Sequence, residues 1–282
     1  MTSSHETMDV RQEGRRVFVT LDRPKVLNAQ NEAFLRDFLD VTSGLVDRDD
    51  FDVVAIRSSC DHWGAGLDLK AAAEGWRLTP TTVEWWEVAL HHLETIRQLV
   101  VALIDGYCLG GGLQLALACD LRIATERATL AIPASREVGF LAGMAPWRLP
   151  RLVGIARAKA MLLGGAVLTG TQAAQWGVVD QVVPVGGLDA AWEEVVALLN
   201  PDNLPSNGEC KRIITTALET SHEQALADFL ETQARLLASD TAEAQLTAAV
   251  EVFKSGGRPS LDTGWFPLAG TDDGREGVPI GR

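Results

Sequence analysis

A buried strand, a glycine-rich turn and an apolar helix follow one another in residues 100–120, and this stretch most constrains the fold. Residues 100–104 form an uninterrupted apolar run, which predicts a buried strand. Three consecutive glycines at 110–112 then mark a turn. Residues 113–118 are apolar around most of a helix, so this helix is expected inside the domain and not on its surface.

The glycine-rich turn has the features of a site for a negatively charged oxygen. The first backbone N–H groups of a helix have no partner within the helix, and the helix dipole adds partial positive charge there. Glycine lets such an oxygen approach the backbone closely. Two other interpretations remain open. The glycines can serve only close packing of strand against helix, or form a dinucleotide loop, although Leu115 replaces the last glycine of G-x-G-x-x-G and the lysine of a Walker loop is missing.

The acidity of the chain excludes some classes of partner. Its 282 residues carry a net charge of −13, and the sequence pI is about 4.8. The summed field repels phosphate, so neither nucleic acid nor an anionic membrane is an expected partner. An anionic ligand would need a local basic patch. The sequence has no apolar run of signal-peptide or membrane-spanning length, and we expect a cytoplasmic protein.

The four cysteines do not form a recognisable disulfide or metal pattern. Cys60, Cys108, Cys119 and Cys210 are scattered without a C-x-x-C pair, and two of them lie in apolar segments. With five histidines, the chain also lacks zinc-ligand spacing. We therefore expect the cysteines to pack as small apolar residues and the protein to hold no metal.

Four regions differ in character along the chain. Residues 1–14 are polar and unpatterned, which predicts a loose N-terminal tail. Residues 15–188 alternate strand and helix patterns and are the expected α/β core. Residues 189–255 carry four helical patterns with no strand between them. Residues 256–282 are dense in Gly, Pro and Asp, which is typical of a disordered tail.

Three local signals predict helix ends in the core. Asn31 precedes apolar residues that recur at intervals of three and four, as an N-cap residue does. Thr81 and Glu84 have the spacing of a capping box and predict the start of a second helix. Gly177 follows a short helical pattern and predicts its end.

Six separated motifs follow one another along the chain: VTLDRPKVLNA (19–29), WGAGLDLK (63–70), IDGYCLGGGLQLALACDLRIA (104–124), RLPRLVG (148–154), LTGTQAAQWGVVDQVVP (168–184) and VFKSGGRP (252–259). In their order and spacing they resemble the motifs of the crotonase superfamily, the enoyl-CoA hydratase/isomerase family. The resemblance implies an α/β, crotonase-like spiral of repeated ββα units with a C-terminal helical region used in oligomerisation. It also implies a homotrimer or a dimer of trimers.

The resemblance further implies an acyl-CoA substrate, a coenzyme A thioester, and no prosthetic group. In the family, two backbone N–H groups hold the thioester oxygen while an enolate forms, and they map onto Ala65 in WGAG and Gly111 in GGG. This agrees with the oxygen site expected at the glycine-rich turn. The family's coenzyme A contacts map onto Lys25, Leu27, Leu67, Asp68, Leu69, Lys70, Gly110, Phe253 and Lys254. The acyl pocket is expected to involve Trp86, Pro133, Ser135, Phe140 and Trp147.

The sequence departs from the family pattern at the expected acid and base. Family hydratases carry a glutamate three residues after the middle glycine of GGG, where this chain has Gln114, an amide that cannot relay a proton. The place of the second glutamate falls on Ala134 or Ser135, because the segment PASREVG carries one extra residue. Glu137 is the neighbouring carboxylate, either a base or an exposed charge beside Arg136. Ordinary hydration, which uses both glutamates, is therefore not the expected reaction.

Glu87 is a second candidate for the base. The tract WWEVALHHL (85–93) resembles the tryptophan pair of the aromatic acyl-CoA dehalogenase branch, where a histidine after the second tryptophan reaches the pocket; here that residue is Glu87. The nucleophilic aspartate of that branch has no counterpart in residues 139–144. Glu87 shares a helical face with His91 and Glu94, so we expect a solvated polar face, with a catalytic role as the alternative.

These observations lead to one main hypothesis and two alternatives. The main one is an acyl-CoA enzyme that stabilises a thioester enolate, with Gln114 orienting water or substrate. Isomerisation with one base, decarboxylation or C–C bond hydrolysis fits the sequence better than simple hydration. The first alternative is a catalytically silent CoA-binding or assembly subunit. The second is a hydrolase of a cyclic diketone or another non-CoA substrate, which uses the same oxyanion hole.

Overall fold

The computed structural model describes residues 2–133, 139–200 and 203–254. Strands and helices alternate through residue 188, and helices alone follow. The strands of the described residues are β1 Thr2–Ser4, β2 Met8–Glu13, β3 Arg16–Leu21, β4 Val53–Ser58, β5 Leu99–Ile104, β6 Tyr107–Leu109, β7 Leu121–Thr125, β8 Thr129–Ala131, β9 Leu168–Thr169 and β10 Gln181–Val183. The expected α/β architecture is confirmed.

The helices in the same described ranges surround the strands and continue beyond them. They are α1 Glu32–Ser43, α2 Leu69–Ala73, α3 Pro80–Thr95, α4 Gly111–Leu117, α5 Ala145–Val153, α6 Ile155–Leu162, α7 Gly170–Trp176, α8 Leu188–Ala197, α9 Leu204–Thr216, α10 His222–Leu237 and α11 Asp240–Lys254. The last four correspond to the four helical patterns of residues 189–255. No helix in the described part of the chain is long and apolar enough to cross a membrane.

Two sheets organise the core. The larger has the strand order β1-β2-β3-β4-β5-β7-β10 and is parallel from β3 onward, with Val19 opposite Ile56 and Ala55 opposite Val101. The smaller has the order β6-β8-β9. Because β5 and β6 are separated by only two residues but belong to different sheets, the chain turns from one sheet to the other just before α4. This is the ββα plan that the resemblance implies.

The larger sheet is covered on both faces, which explains why its central strands are apolar throughout. On one face α1 packs against α3, and the rings of Phe38 and Trp86 lie 5.4 Å apart between them. On the other face α8 places Trp192 edge-on against Phe18 of β3, with ring centroids 5.5 Å apart. The first cluster also includes the buried residues of α4, so the helix after the glycine-rich turn lies inside the domain as expected.

Two sequence-based predictions of local structure are wrong. Residues 1–14 are not a loose tail, because β2 pairs with β3 over six residues and buries Met8 and Val10 against the core. The capping box of α3 is formed by Thr79 and Thr82, two residues before the predicted pair Thr81 and Glu84. The helix begins there because Pro80 is favoured as the first helical residue. The predicted Asn31 cap is confirmed, since its side chain accepts a hydrogen bond from the Phe34 amide.

Close backbone contact between α4 and the segment before α2 fixes the position of the glycine-rich turn. The amide of Gly64 donates to Tyr107 O at 2.7 Å, and Leu109 N donates back to Gly64 O at 2.9 Å. The buried indole of Trp63 donates to Gly112 O at 2.8 Å. A β-carbon on Gly112 would lie 2.6 Å from Gly64 O, so only glycine allows this approach.

Replacing Gly112 by alanine is therefore expected to destabilise the protein. The new methyl group would meet backbone, which cannot rotate away, and overpacking of this kind costs about 1–3 kcal/mol. Urea unfolding followed by circular dichroism measures the change. Gly111→Ala is the matched control, because its methyl group would meet only the movable side chain of Gln30. Equal stability of Gly112→Ala and wild type would contradict the account of this contact.

Candidate active site

A cavity of about 120 Å³ opens beside the N-terminus of α4. Its walls come from α3, from the start of α4, from the segment before α2 and from residues 140–143. Most of the lining is apolar, and the polar side chains among the described lining residues are Gln30, Thr82 and Gln114. The described lining therefore contains two carboxamides and a hydroxyl but no titratable side chain.

The backbone amide expected at Ala65 is not available to a ligand. Ala65 N donates to Leu27 O at 2.9 Å, because the segment runs beside the loop that contains Leu27. Leu67, two residues on, lines the cavity, and its amide forms no hydrogen bond within the described residues. The prediction of Ala65 as a donor is wrong, and the neighbouring amide that faces the cavity is that of Leu67.

The Gly111 amide is placed at the cavity by its surroundings. Gly110, which has a φ of +52°, precedes it and donates to Ala131 O at 2.9 Å, which ties the turn to β8. Gly66, with a φ of +83°, lies against the turn so closely that a β-carbon on it would be 2.8 Å from Leu109 O and 3.4 Å from Gly111 N. Glycine at 66 therefore brings the Leu67 and Gly111 amides to the same cavity. In the described chain, the Gly111 amide also has no hydrogen-bond partner.

Gln114 lies in the cavity wall one turn into α4. Its side chain is 6% exposed, and Oε1 accepts a hydrogen bond of 3.3 Å from the Trp86 indole. This contact leaves the Nε2 group of Gln114 as a donor toward the cavity. A β-carbon on Gly143 would overlap both Gln114 Oε1 and Glu87 Oε1. Both oxygens therefore lie against the same side of the Gly143 α-carbon.

Glu87 is not on a solvated face, contrary to the expectation from its helical position. Glu87 Oε2 accepts from Arg148 at 2.8 Å, and Oε1 accepts from the Met144 amide at 2.9 Å. The same buried arginine binds Glu94 through Nε at 2.6 Å. Desolvation opposes the charge of Arg148, but Glu94 and Glu87 outweigh it and raise its pKa above the usual value. Glu87 therefore contacts the cavity wall as an ion-paired carboxylate.

Some of the predicted coenzyme A contacts are exposed on the surface, and others line the cavity. Lys25, Leu69 and Lys70 are exposed, and Leu27 is half-buried in a left-handed conformation. Gly110 lines the cavity. Lys254 at the end of α11 is exposed and pairs with Glu251, while the side chain of Phe253 lies outside the described part of the structure.

Asp68 differs from the other predicted coenzyme A contacts because it is 3% exposed and both of its carboxylate oxygens have partners within the protein. Asp68 caps α2 by accepting from Ala71 N at 3.0 Å and forms an ion pair of 2.9 Å with Arg23. The predicted contact of Asp68 with a ligand is thus replaced by a structural role. It connects the loop at residues 24–27 to the segment that places Leu67.

The predicted acyl-pocket residues are only partly brought together. Trp86 and Phe140 line the cavity. Trp147 does not, because Arg151 stacks on its ring at 3.5 Å on another face of α5, and the half-buried Pro133 is also absent from the described lining. The predicted residues Ser135 and Glu137 lie outside the described residues.

Sequence reasoning missed Gln30 and Arg148. Gln30 is 7% exposed in the cavity, but it stands between a loop and a helix cap and belongs to no periodic pattern. One feature of the sequence could have pointed to Arg148. Glu87 and Glu94 are seven residues apart on one helical face, and two carboxylates buried there need a cation beside them. Across the described ranges, no group of three His, Cys, Asp or Glu side chains is arranged to hold a metal ion.

The comparisons with known proteins agree with this geometry. The family model described as enoyl-CoA hydratase/isomerase matches residues 13–262. The chain belongs to the enoyl-CoA hydratase/isomerase family. A "Probable enoyl-CoA hydratase" of Rhizobium meliloti is 30% identical over 241 residues, which cover 84% of this chain and 90% of that protein. A solved enoyl-CoA hydratase of Mycobacterium smegmatis is 26% identical, with a TM-score of 0.79, and the match covers 90% of this chain and 98% of that one.

Other enoyl-CoA hydratase/isomerase family members support the same assignment. A "Probable enoyl-CoA hydratase echA8" of Mycobacterium tuberculosis is 29% identical, over 79% of this chain and 86% of that protein. A Streptomyces coelicolor structure shares the fold with a TM-score of 0.81 at 22% identity, over 92% of this chain and 95% of that one. The crotonase resemblance and the crotonase-like fold are therefore confirmed.

The ion pair of Asp68 predicts a pH-dependent contribution to stability. Burial favours the neutral acid, but the Ala71 amide and Arg23 outweigh it, so the pKa of Asp68 is lowered. A lowered pKa means that the stabilisation is complete above the unfolded value of about 3.9 and is lost as the pH falls through the folded pKa. Asp68→Asn keeps a capping oxygen and should cost about 2 kcal/mol at pH 7, where the charged hydrogen bond is lost.

Chemical denaturation of Asp68→Asn and wild type between pH 3 and pH 7 tests this expectation. The difference in unfolding free energy should be constant near neutral pH and should shrink below about pH 4. The exposed carboxylate of Asp61, 3.7 Å from Arg127, provides the control Asp61→Asn, for which we expect little change. If the difference in unfolding free energy between wild type and Asp68→Asn grew on acidification, the stabilising role of the ionised Asp68 carboxylate would be contradicted.

Proposed function

We propose that this protein is an acyl-CoA enzyme that stabilises a thioester enolate with the backbone amides of Leu67 and Gly111. The observation that carries the proposal is that these two amides face one cavity and are without hydrogen-bond partners in the described structure. Unpaired amides at the wall of a mostly apolar cavity are costly unless a ligand oxygen accepts from them.

Backbone donors suit a reaction whose barrier is a developing oxyanion. They are fixed by the fold before the reaction begins, so no reorganisation is needed as charge moves onto the thioester oxygen. Loss of one such donor typically lowers the rate by about 10²–10³-fold. Gln114, with a free amide donor in the same cavity, orients the substrate or a water molecule.

The proposed base is Glu87. Arg148 forms an ion pair of 2.8 Å with this carboxylate, and the other carboxylate oxygen lies close to Gly143, which lines the cavity. A single base supports proton removal next to the thioester, as in double-bond isomerisation, and the same donors support decarboxylation or C–C bond cleavage. Hydration with a paired acid and base is less favoured, because the lining residue Gln114 is an amide and gives Glu87 no second carboxylate to work with.

Coenzyme A is the proposed carrier of the acyl group, bound as substrate and without a prosthetic group. Lys25 and Lys70 are exposed, lie within three residues of Leu27 and Leu67 in the chain, and would supply the local positive charge that an acidic protein needs for an anionic ligand. Leu27, Leu69 and Gly110 border the same region, and Lys254 with Phe253 is the proposed C-terminal contact. A fold neighbour from Thermobifida fusca was solved in complex with acetoacetyl-CoA, which is consistent with this class of ligand.

The base assignment predicts a large effect of Glu87→Gln. On a panel of acyl-CoA thioesters, this variant should lower kcat by about 10²–10⁴-fold, because general base catalysis is lost while the shape of the cavity is kept. Glu84→Gln, at an exposed position of α3, is the matched control and should keep wild-type activity. If Glu87→Gln stays fully active and Glu137→Gln does not, Glu137 is the base. Full activity of both excludes both residues.

One observation favours a second candidate function, a catalytically silent CoA-binding or assembly subunit. The described cavity lining contains no acid or base, and Glu87 is engaged by Arg148. The two functions differ in a simple assay. A silent subunit would be stabilised against heat by acyl-CoA but would convert no member of the panel, whereas the enzyme would show both effects.

We also propose that the chain forms a homotrimer or a dimer of trimers through its C-terminal helices. Large apolar side chains on α9, α10 and α11 are exposed in the single chain, which is unusual for a surface that faces only solvent. They are Ile214, Leu218, Leu226, Phe229, Leu230, Leu237 and Leu246. Light scattering coupled to size exclusion should give three or six times the chain mass of 30.4 kDa, and a monomer would contradict the proposal.

A further inference from the structure

The carboxamide of Gln30 is a buried polar group that the proposed mechanism does not yet use. Gln30 is 7% exposed and lines the same cavity as Leu67 and Gly111. Within the described residues, neither its Oε1 nor its Nε2 has a hydrogen-bond partner, and neither belongs to the fully buried unpaired atoms, so the carboxamide is open to the cavity. A polar group that opens into a mostly apolar cavity is available to hydrogen-bond to a molecule bound there. This group therefore points to a ligand atom.

The backbone holds Gln30 beside the first of the two amide donors. Gln30 N donates to Gly66 O at 2.7 Å, and Asp68 N donates to Gln30 O at 2.9 Å. These two bonds form a bridge that pairs Gln30 with Leu67. Because Asp68 is itself held by Arg23, the base of the Gln30 side chain is fixed beside the residue Leu67.

The end of the Gln30 side chain reaches the second donor. A β-carbon on Gly111 would overlap Gln30 Oε1 and would lie 3.0 Å from Gln30 Nε2. The carboxamide therefore rests on the face of Gly111, and the side chain extends from Leu67 to Gly111. Rotation about its last torsion exchanges Oε1 and Nε2, and no hydrogen bond in the described structure opposes that rotation.

We propose that Gln30 Nε2 is a third donor to the thioester oxygen, acting together with the Leu67 and Gly111 amides. This inference rests on the proposed function and names a further catalytic residue of the same site. A side-chain carboxamide is a known kind of donor to an oxyanion, and this one lies against Gly111 and is carried by the residue paired with Leu67. Gln114 does not take this place, because its carboxamide accepts from Trp86 and lies against Gly143.

The direct test compares Gln30→Leu with wild type in binding two coenzyme A compounds. Butyryl-CoA labelled with ¹³C at the thioester carbon has the carbonyl oxygen, and S-butyl-CoA lacks it. Loss of a hydrogen bond to that oxygen should weaken butyryl-CoA binding by about tenfold and leave S-butyl-CoA binding unchanged. The infrared band of the labelled carbonyl should also move to higher frequency in the variant, because fewer donors polarise the bond.

Gly111→Ala provides a second way to remove the same contact. Its methyl group would displace the Gln30 carboxamide, while the Gly111 backbone amide is kept. We expect the same shift of the carbonyl band as in Gln30→Leu, and no further shift when the two changes are combined. Gln175→Leu, an exposed glutamine replaced in the same way, is the control and should bind both compounds as wild type does.

The outcomes separate this inference from the proposed function. If wild type binds butyryl-CoA and lowers the frequency of its carbonyl band, but Gln30→Leu lowers it equally, the third donor is excluded and the two backbone donors remain. If wild type binds neither coenzyme A compound, the proposed function fails and the role of Gln30 fails with it. A band that moves to higher frequency in Gln30→Leu and Gly111→Ala, with no further change in the double variant, supports the inference.

Discussion

The site depends on the contact between two glycine-containing backbone segments. Gly64 pairs with β6, Trp63 donates to Gly112 O, and Gly66 lies against Gly110 and Gly111. A side chain on Gly112 would overlap Gly64 O, and one on Gly66 would overlap Leu109 O. These contacts bring two residues with unpaired amides, Leu67 and Gly111, to one cavity. If the segments moved apart by the width of a methyl group, the two amides could no longer donate to the same ligand oxygen. The apolar core beneath α4 holds that spacing, because interiors of proteins are close-packed.

Much of the fold is predictable from the sequence, because long apolar patterns dominate it. The parallel strands, the buried helix after the glycine-rich turn and the C-terminal helices follow from periodicity and length. The N-terminal strand β2 is not predicted, because only Met8 and Val10 face the core and the remaining polar residues of the strand have the composition of a tail. The start of α3 was misplaced because two threonine pairs compete, and Pro80 decides between them.

The site was predicted less well, since its details depend on contacts between distant segments. The glycine-rich turn and Gln114 were identifiable, but which amide of WGAGL is free depends on the hydrogen bond from Ala65 to Leu27, which no local pattern shows. Likewise, the polar face around Glu87 has the pattern of a solvated surface, and only the approach of α5 with Arg148 buries it. Trp147 fits an aromatic pocket by composition, but its ring is paired with Arg151.

The ion-paired cluster of Arg148 with Glu87 and Glu94 places two negative charges and one positive charge against the wall of the cavity. The cluster thus holds two carboxylates for one guanidinium, with the His91 ring 3.9 Å from Glu94, and its partial burial reduces the screening of these charges. An acyl group that ends in a carboxylate would meet repulsion there, whereas a neutral acyl group would not. The network that fixes Glu87 therefore also acts as an electrostatic filter on the acyl groups that can enter.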